Sequence, residues 1–169
     1  MVLDTIEVVV EIPRGSRNKY EFDKQRGVFV LDRVLYSSVH YPTDYGYVAQ
    51  TLGEDGDPLD ALVVVNEPTF PGCHILCRPI GVLDMTDDKG RDHKILAVPH
   101  VDPRFQSIRD LGALDPHWLR EIEYFFQTYK TLEEKLTEVV GWEDAEAAAR
   151  IIVAARERYG DPGDAPDLP

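Results

Sequence analysis

Cysteine is nearly absent from the chain, with only Cys73 and Cys77 in 169 residues. Their surroundings read as a strand, and four strand residues separate Cα atoms by roughly 13 Å, beyond the reach of a disulfide. Two buried thiols in a reducing compartment are expected. The spacing Cys-His-x-x-Cys lacks the second ligand pair of a structural zinc site. Positive charge is scarce too: 18 Lys and Arg stand against 31 Asp and Glu, a net charge of −13. Such a surface repels nucleic-acid phosphates and anionic membranes and argues against both as partners. Apolar runs stop at about five residues (61–65 and 151–155), far short of a membrane span. The opening segment, 1–13, has no basic stretch, no long apolar core and no small-residue cleavage site, so no secretory signal is expected and a cytoplasmic location is. Repeats, low-complexity blocks and internal linkers are also missing. The length suits one domain, read as residues 1–160, followed by a flexible acidic Pro/Gly tail over 161–169.

What is present is a change of period. Through the first two-thirds, short β-branched or aromatic segments alternate with Gly, Pro and Asp: 5–12, 18–23, 28–35, 45–52, 59–65, 74–85 and 93–98. Lys24 to Gly27 reads as a hairpin turn. Many short strands spaced by turns predict a small closed barrel. Beyond residue 115, Trp118, Leu119, Ile122, Phe125, Phe126 and Tyr129 fall on one helical face. Asp115 and Pro116 supply an N-cap and a first-turn proline. A second helix is expected over about 143–159, with an acidic start, Arg156 and Arg158 near its end, and Gly160 as cap. The expected class is α+β, mainly β: a barrel with two C-terminal helices packed outside.

The carboxylates are unevenly spread. Glu54, Asp55, Asp57 and Asp60 lie within seven residues, and Asp84, Asp87, Asp88 and Asp92 within nine. Gathered carboxylates repel one another and call for cations. Their hard oxygens suit Mg²⁺ or Mn²⁺. Asp and Gly also build turns, so either cluster alone fits a solvated loop. Segment 55–60 is not an EF-hand, because Leu59 and Asp60 occupy its fifth and sixth positions and no Glu stands at the twelfth. The basic residues and phenols shift the balance. Lys19, Arg33, Lys94 and Lys130, interleaved with Tyr41, Tyr45, Tyr47 and Tyr129, are each alone ordinary surface or core residues. Together with the carboxylates they supply the cations, phenolic donors and metal ligands of a phosphate site.

The segment Asp55-Gly-Asp-Pro-Leu-Asp60 resembles the Asp-x-Asp-Pro-x-Asp motif of the soluble family I inorganic pyrophosphatases. Further segments follow in that family's order: Glu11-Ile-Pro13, Lys19-Tyr-Glu21, Asp32-Arg33, Tyr41-Pro-x-x-Tyr45-Gly-Tyr47, Cys77-Arg-Pro-x-Gly81, Met85-Thr-Asp-Asp88, Asp92-x-Lys94 and Phe125-Phe-x-x-Tyr129-Lys130. The segments around Arg17–Tyr20 and Tyr41–Gly46 resemble the actinobacterial branch. The resemblance implies an OB-like, five-stranded closed barrel with additional strands, and hydrolysis of diphosphate to two orthophosphates with Mg²⁺, several ions per site, Mn²⁺ or Zn²⁺ being possible substitutes. By motif position, Asp55, Asp60 and Asp92 would hold a first metal, with Asp60 bridging to a second. Asp87, Asp92 and Glu21 would meet further ions, and Glu11 would line the metal pocket. Lys19, Arg33, Tyr45, Tyr129 and Lys130 would grip the phosphates, with Lys94 beside them. Asp57 would be general base on the attacking water, with Asp92 the other candidate. A homo-oligomer, a hexamer first, is also implied. The chain departs from the pattern over 132–142, which is one residue short, and at Tyr124 and Thr128, where some relatives carry histidines. The alternative is a non-catalytic OB-like binding module. Such a module needs a basic groove with stacking aromatics, and the charge and the complete acidic set argue against it.

Overall fold

The computed structural model describes residues 3–160, so the tail expected over 161–169 lies outside the described residues. The strands are β1 (Ile6–Ile12), β2 (Asn18–Asp23), β3 (Val28–Val34), β4 (Asp44–Val48), β5 (Asp60–Val63), β6 (His74–Asp87), β7 (Gly90–Pro99) and β8 (Glu138–Asp144). The helices are α1 (Pro116–Thr128) and α2 (Ala145–Tyr159). The main sheet runs β1-β4-β5-β7-β6-β8, and β6 pairs back with β1; β2 and β3 form a separate hairpin. All pairings are antiparallel except β5 with β7. The fold is therefore mainly β with two helices, as expected.

Strand alternation divides the apolar residues between two cores. Leu62, Val64, Leu83, Met85, Leu96 and Val98 join Ile122, Phe125 and Phe126 of α1 in one. Ala61, Val63, Val82, Ile95 and Ala97 join Ala148, Ile152 and Ala155 of α2 in the other. Helix α1 starts where Asp115 accepts the His117 N–H at 2.9 Å and Pro116 follows it. Helix α2 starts where Asp144 accepts the Ala147 N–H at 2.8 Å, two residues later than its acidic composition suggested. It ends at Gly160, whose φ of 81° favours glycine.

The differences from expectation are local. Strand β8 was not anticipated. Its two apolar pairs, Val139-Val140 and Gly141-Trp142, are too short a run to stand out, and pairing with β6 recruits them. Strand β4 ends at Val48, where Ala49 and Gln50 turn the chain, Gln50 with a φ of 57°. Strands β6 and β7 run further than expected and meet at an Asp87–Gly90 pairing, so Asp88 and Lys89 alone form the turn. Cys77 is buried, but Cys73 is only half-buried, and both thiols are free. Among the described residues no helix is long and apolar enough to cross a membrane.

Gly46 marks the closest approach in the sheet. It pairs with Val10 on one side and Ala61 on the other, and a Cβ there would stand 1.9 Å from the Val9 carbonyl oxygen. Backbone cannot yield as a flexible side chain does. Gly46→Ala is expected to cost about 3 kcal/mol, read as a melting temperature lower by several degrees. A melt within about one degree of the parent would contradict this account.

Candidate active site

A cleft of about 930 Å³ opens at the end of the core that α1 covers, where β2, β4, β5, β6 and β7 bring their polar ends together. Lys94 is its deepest charged group. It faces Asp60 across the parallel β5–β7 ladder. Its Nζ lies 2.9 Å from Asp60 Oδ2, 2.8 Å from Asp92 Oδ2, and 2.9 Å from Tyr45 Oη, to which it donates. The ammonium also sits 5.1 Å from the centroids of both the Tyr45 and Phe126 rings. Burial alone would discharge such a lysine, but the two carboxylates overcome it and hold Lys94 well above the usual lysine range. Asp92 is raised by burial and by the neighbouring Asp60 and Asp87 charges, against the pull of Lys94.

The remaining carboxylates are placed by turns and by alternation. Asp55 Oδ1 accepts the Asp57 N–H at 3.0 Å, and Asp87 Oδ1 accepts the Lys89 N–H at 2.8 Å. Each thereby shapes its own turn with one oxygen and keeps the other for a ligand. Asp57 and Glu21 line the same cleft. Asp84 does not share their direction. It pairs across the hairpin with His93 and is locked by Arg91, 3.0 Å from Nε and 2.8 Å from Nη2. The second acidic cluster is thus split, with Asp87 and Asp92 toward the cleft.

Glu11 stands at a bulge in β1, where pairing with β4 shifts between Val10 and Ile12. It accepts the Phe22 N–H at 3.0 Å, yet burial, then Asp60 and Glu21, push its carboxyl up from the ordinary 4.5 to about 7. Tyr47, close by, is pushed up to about 12 by burial and by Glu11. Its buried hydroxyl has no hydrogen-bond partner among the described residues.

The other cations stand among these carboxylates. Lys19 and Arg33 are register partners on β2 and β3. Lys19 Nζ lies 3.2 Å from Glu21 and 3.3 Å from Asp32. Lys130, 5.3 Å from the Tyr129 ring centroid, is lowered by burial; Asp87 and Asp88 oppose this, and Arg33 and Lys19 add to it. Burial raises the Tyr129 phenol to about 12. Lys19, Tyr45, Lys94, Tyr129 and Lys130 all line the cleft, whereas Arg33 does not. Its guanidinium contacts Asp32 and approaches Glu133, 2.9 Å from Nε, at an angle that leaves Nε without a hydrogen bond among the described residues. Sequence reasoning missed the far wall, Arg150, Ile151, Ala154 and Arg158 of α2. Arg158 stood out only as a helix-end charge, and nothing local shows that α2 folds back against the cleft.

Among the described residues no three His, Cys, Asp or Glu side chains converge into a ready-made metal cage. The donor set nevertheless fits a hard divalent cation: Glu11, Glu21, Asp55, Asp60, Asp87 and Asp92 line one cleft and offer only oxygen. The orphaned Tyr47 hydroxyl and the raised Glu11 carboxyl are both left short of a cationic or hydrated neighbour.

The sequence model of the inorganic pyrophosphatase family matches residues 8–160. The inorganic pyrophosphatase of Methanosarcina mazei is 55% identical over 152 residues, 90% of each chain. That of Streptomyces coelicolor is 51% identical over 158 residues, 93% of this chain and 97% of the relative. The solved inorganic pyrophosphatase of Thermus thermophilus superposes with a TM-score of 0.91 at 43% identity, covering 94% of this chain and 92% of that one. These likenesses do not single out an actinobacterial branch, since the archaeal relative is more similar than the Streptomyces one.

A carboxyl held near 7 in the folded chain and 4.5 in the unfolded one binds its proton more tightly when folded. The stability of the metal-free protein is therefore expected to fall as pH rises from 4.5 through about 7. Glu11→Gln should flatten that part of the profile. Parallel pH–stability curves from denaturant melts of the two proteins would exclude this cause.

Proposed function

The chain belongs to the inorganic pyrophosphatase family and is a hydrolase that splits diphosphate into two orthophosphates; from that premise we propose how its residues divide the work. One observation carries the proposal: a single cleft holds the whole acidic set and the lysines and phenols of a phosphate site. Glu11, Glu21, Asp55, Asp60, Asp87 and Asp92 would hold several Mg²⁺ ions, for which Mn²⁺ or Zn²⁺ could substitute. When bound, such ions supply positive charge to phosphoryl oxygens and acidify water.

The chain's own groups do the rest. Lys19, Lys130 and the Tyr129 hydroxyl bind phosphate oxygens on one side of the cleft. Arg33, the register partner of Lys19, would serve the leaving phosphate only after giving up its pairing with Glu133 and Asp32. Tyr45 joins Lys19, Lys130 and Tyr129 in gripping phosphate, with Lys94, which donates to its hydroxyl, beside it and next to Asp60 and Asp92. Asp57 takes a proton from water as the water oxygen forms its bond to phosphorus. The bridging P–O bond breaks, and its electron pair leaves with the second phosphate. No covalent enzyme intermediate is needed. Asp92 faces the Lys94 ammonium at 2.8 Å and is read as a cation ligand first and as the alternative base second.

The pairing of β1 with both β4 and β6 supports reading β1, β4, β5, β7 and β6 as an OB-like closed barrel. A cytoplasmic location is supported by two free cysteines. A hexamer is supported by the family resemblance and by exposed apolar side chains such as Tyr124, Leu136 and Val140.

Phosphate release from diphosphate is expected with Mg²⁺ and is expected to vanish with EDTA; no release above background with Mg²⁺ would refute the reading. Asp57→Asn, which keeps shape and loses basicity, should slow turnover by about 10²–10⁴-fold at saturating Mg²⁺. A change below about tenfold would move the role to Asp92. Light scattering should give a multiple of the 19.2 kDa chain mass that loosens as salt falls and self-repulsion grows. A single-chain mass at every salt would reject the assembly.

A further inference from the structure

Asp60 and Asp92 are cation ligands in the reading above, yet both already face a cation that belongs to the chain. An ammonium has three protons to donate, and the Lys94 Nζ has three oxygen neighbours: Asp60 at 2.9 Å, Asp92 at 2.8 Å and Tyr45 at 2.9 Å. Two aromatic rings, Tyr45 and Phe126, close over it. The residue is 2% exposed, so water does not replace these partners. Its strand, β7, is hydrogen-bonded to β5 on one side and to β6 on the other, which prevents the backbone from carrying it away.

We propose that Lys94 is a built-in competitor of the divalent cation, neutralising Asp60 and Asp92 in the metal-free protein and weakening their hold on the ion that binds beside it. The inference rests on the cation-binding reading of this site. A fixed positive charge a few ångströms from a divalent ion, in a place that water does not screen, raises the energy of the bound state. The same charge lowers the energy of the metal-free state, where Asp60 and Asp92 would otherwise repel each other unpaired. Both effects favour a loosely held ion over a permanently bound one. A lysine that only braced the two carboxylates in position would act in the opposite direction, and its removal would weaken the metal.

Mg²⁺ is titrated calorimetrically into the metal-free, full-length protein with no diphosphate present, and thermal melts are recorded with and without Mg²⁺. Lys94→Gln removes the charge and keeps polar contacts; Lys94→Arg keeps the charge. The Gln variant is expected to bind Mg²⁺ at least about tenfold more tightly, to melt lower without metal, and to gain more from Mg²⁺ than the parent does. The Arg variant should bind as weakly as the parent. Unchanged or weaker Mg²⁺ binding by the Gln variant overturns the proposal while leaving the cation site standing. Should that variant fold only with Mg²⁺, the proposal is upheld; should it stay unfolded at every Mg²⁺ concentration, the proposal fails. If the parent itself binds no Mg²⁺, the cation-binding reading falls and the role of Lys94 falls with it.

Discussion

The Lys94 ammonium is removed from water and still charged. Burying an isolated ion costs several kcal/mol even after the protein relaxes, so every element around Lys94 is constrained to keep its partners in place. Strand β5 must lie parallel to β7 with Asp60 opposite Lys94, and β4 must present Tyr45 beside them. Helix α1 must lay the Phe126 ring under the ammonium, and its burial with Ile122 and Phe125 is what fixes α1 to the sheet. Packing of one core and electrostatics of the cleft therefore satisfy the same requirement.

Around this centre, the acidic residues are sorted by backbone rather than by charge. Strand alternation turns Asp84 toward Arg91 and leaves Asp92 facing the cleft, although both belong to one hairpin. Asp55 and Asp87 shape tight turns with one oxygen each, which holds their remaining oxygens in a set direction. The local geometry that makes Asp common in turns is here what aims it.

Much of this was legible in the chain. Each of the seven segments read as strands overlaps one, and both helices start at the Asp caps or within two residues of the expected position, because alternation, capping and helical period are local signals. The acidic motif and the lysine–tyrosine pairs were legible as chemistry, and the cleft brings all but Arg33 to its walls. What stayed hidden depends on long-range pairing. Strand β8 has a weak pattern and forms because β6 extends far enough to accept it. The wall supplied by Arg150 and Arg158 depends on α2 returning to the sheet. That Asp60 and Asp92 share one lysine follows from a parallel register that no short stretch of sequence encodes.

That register also bears on how the chain reaches its native state. Strands β5 and β7 are separated in sequence by all of β6, so their parallel pairing closes a long loop and belongs to the slower kind of contact. A slip of one residue would rotate Lys94 to the face occupied by Val63, Ile95 and Ala97, stranding a charge in an apolar core. Misaligned intermediates are thus penalised by the residue that organises the finished site. The ammonium acts as a checkpoint during folding, rejecting sheets whose strands are paired but offset.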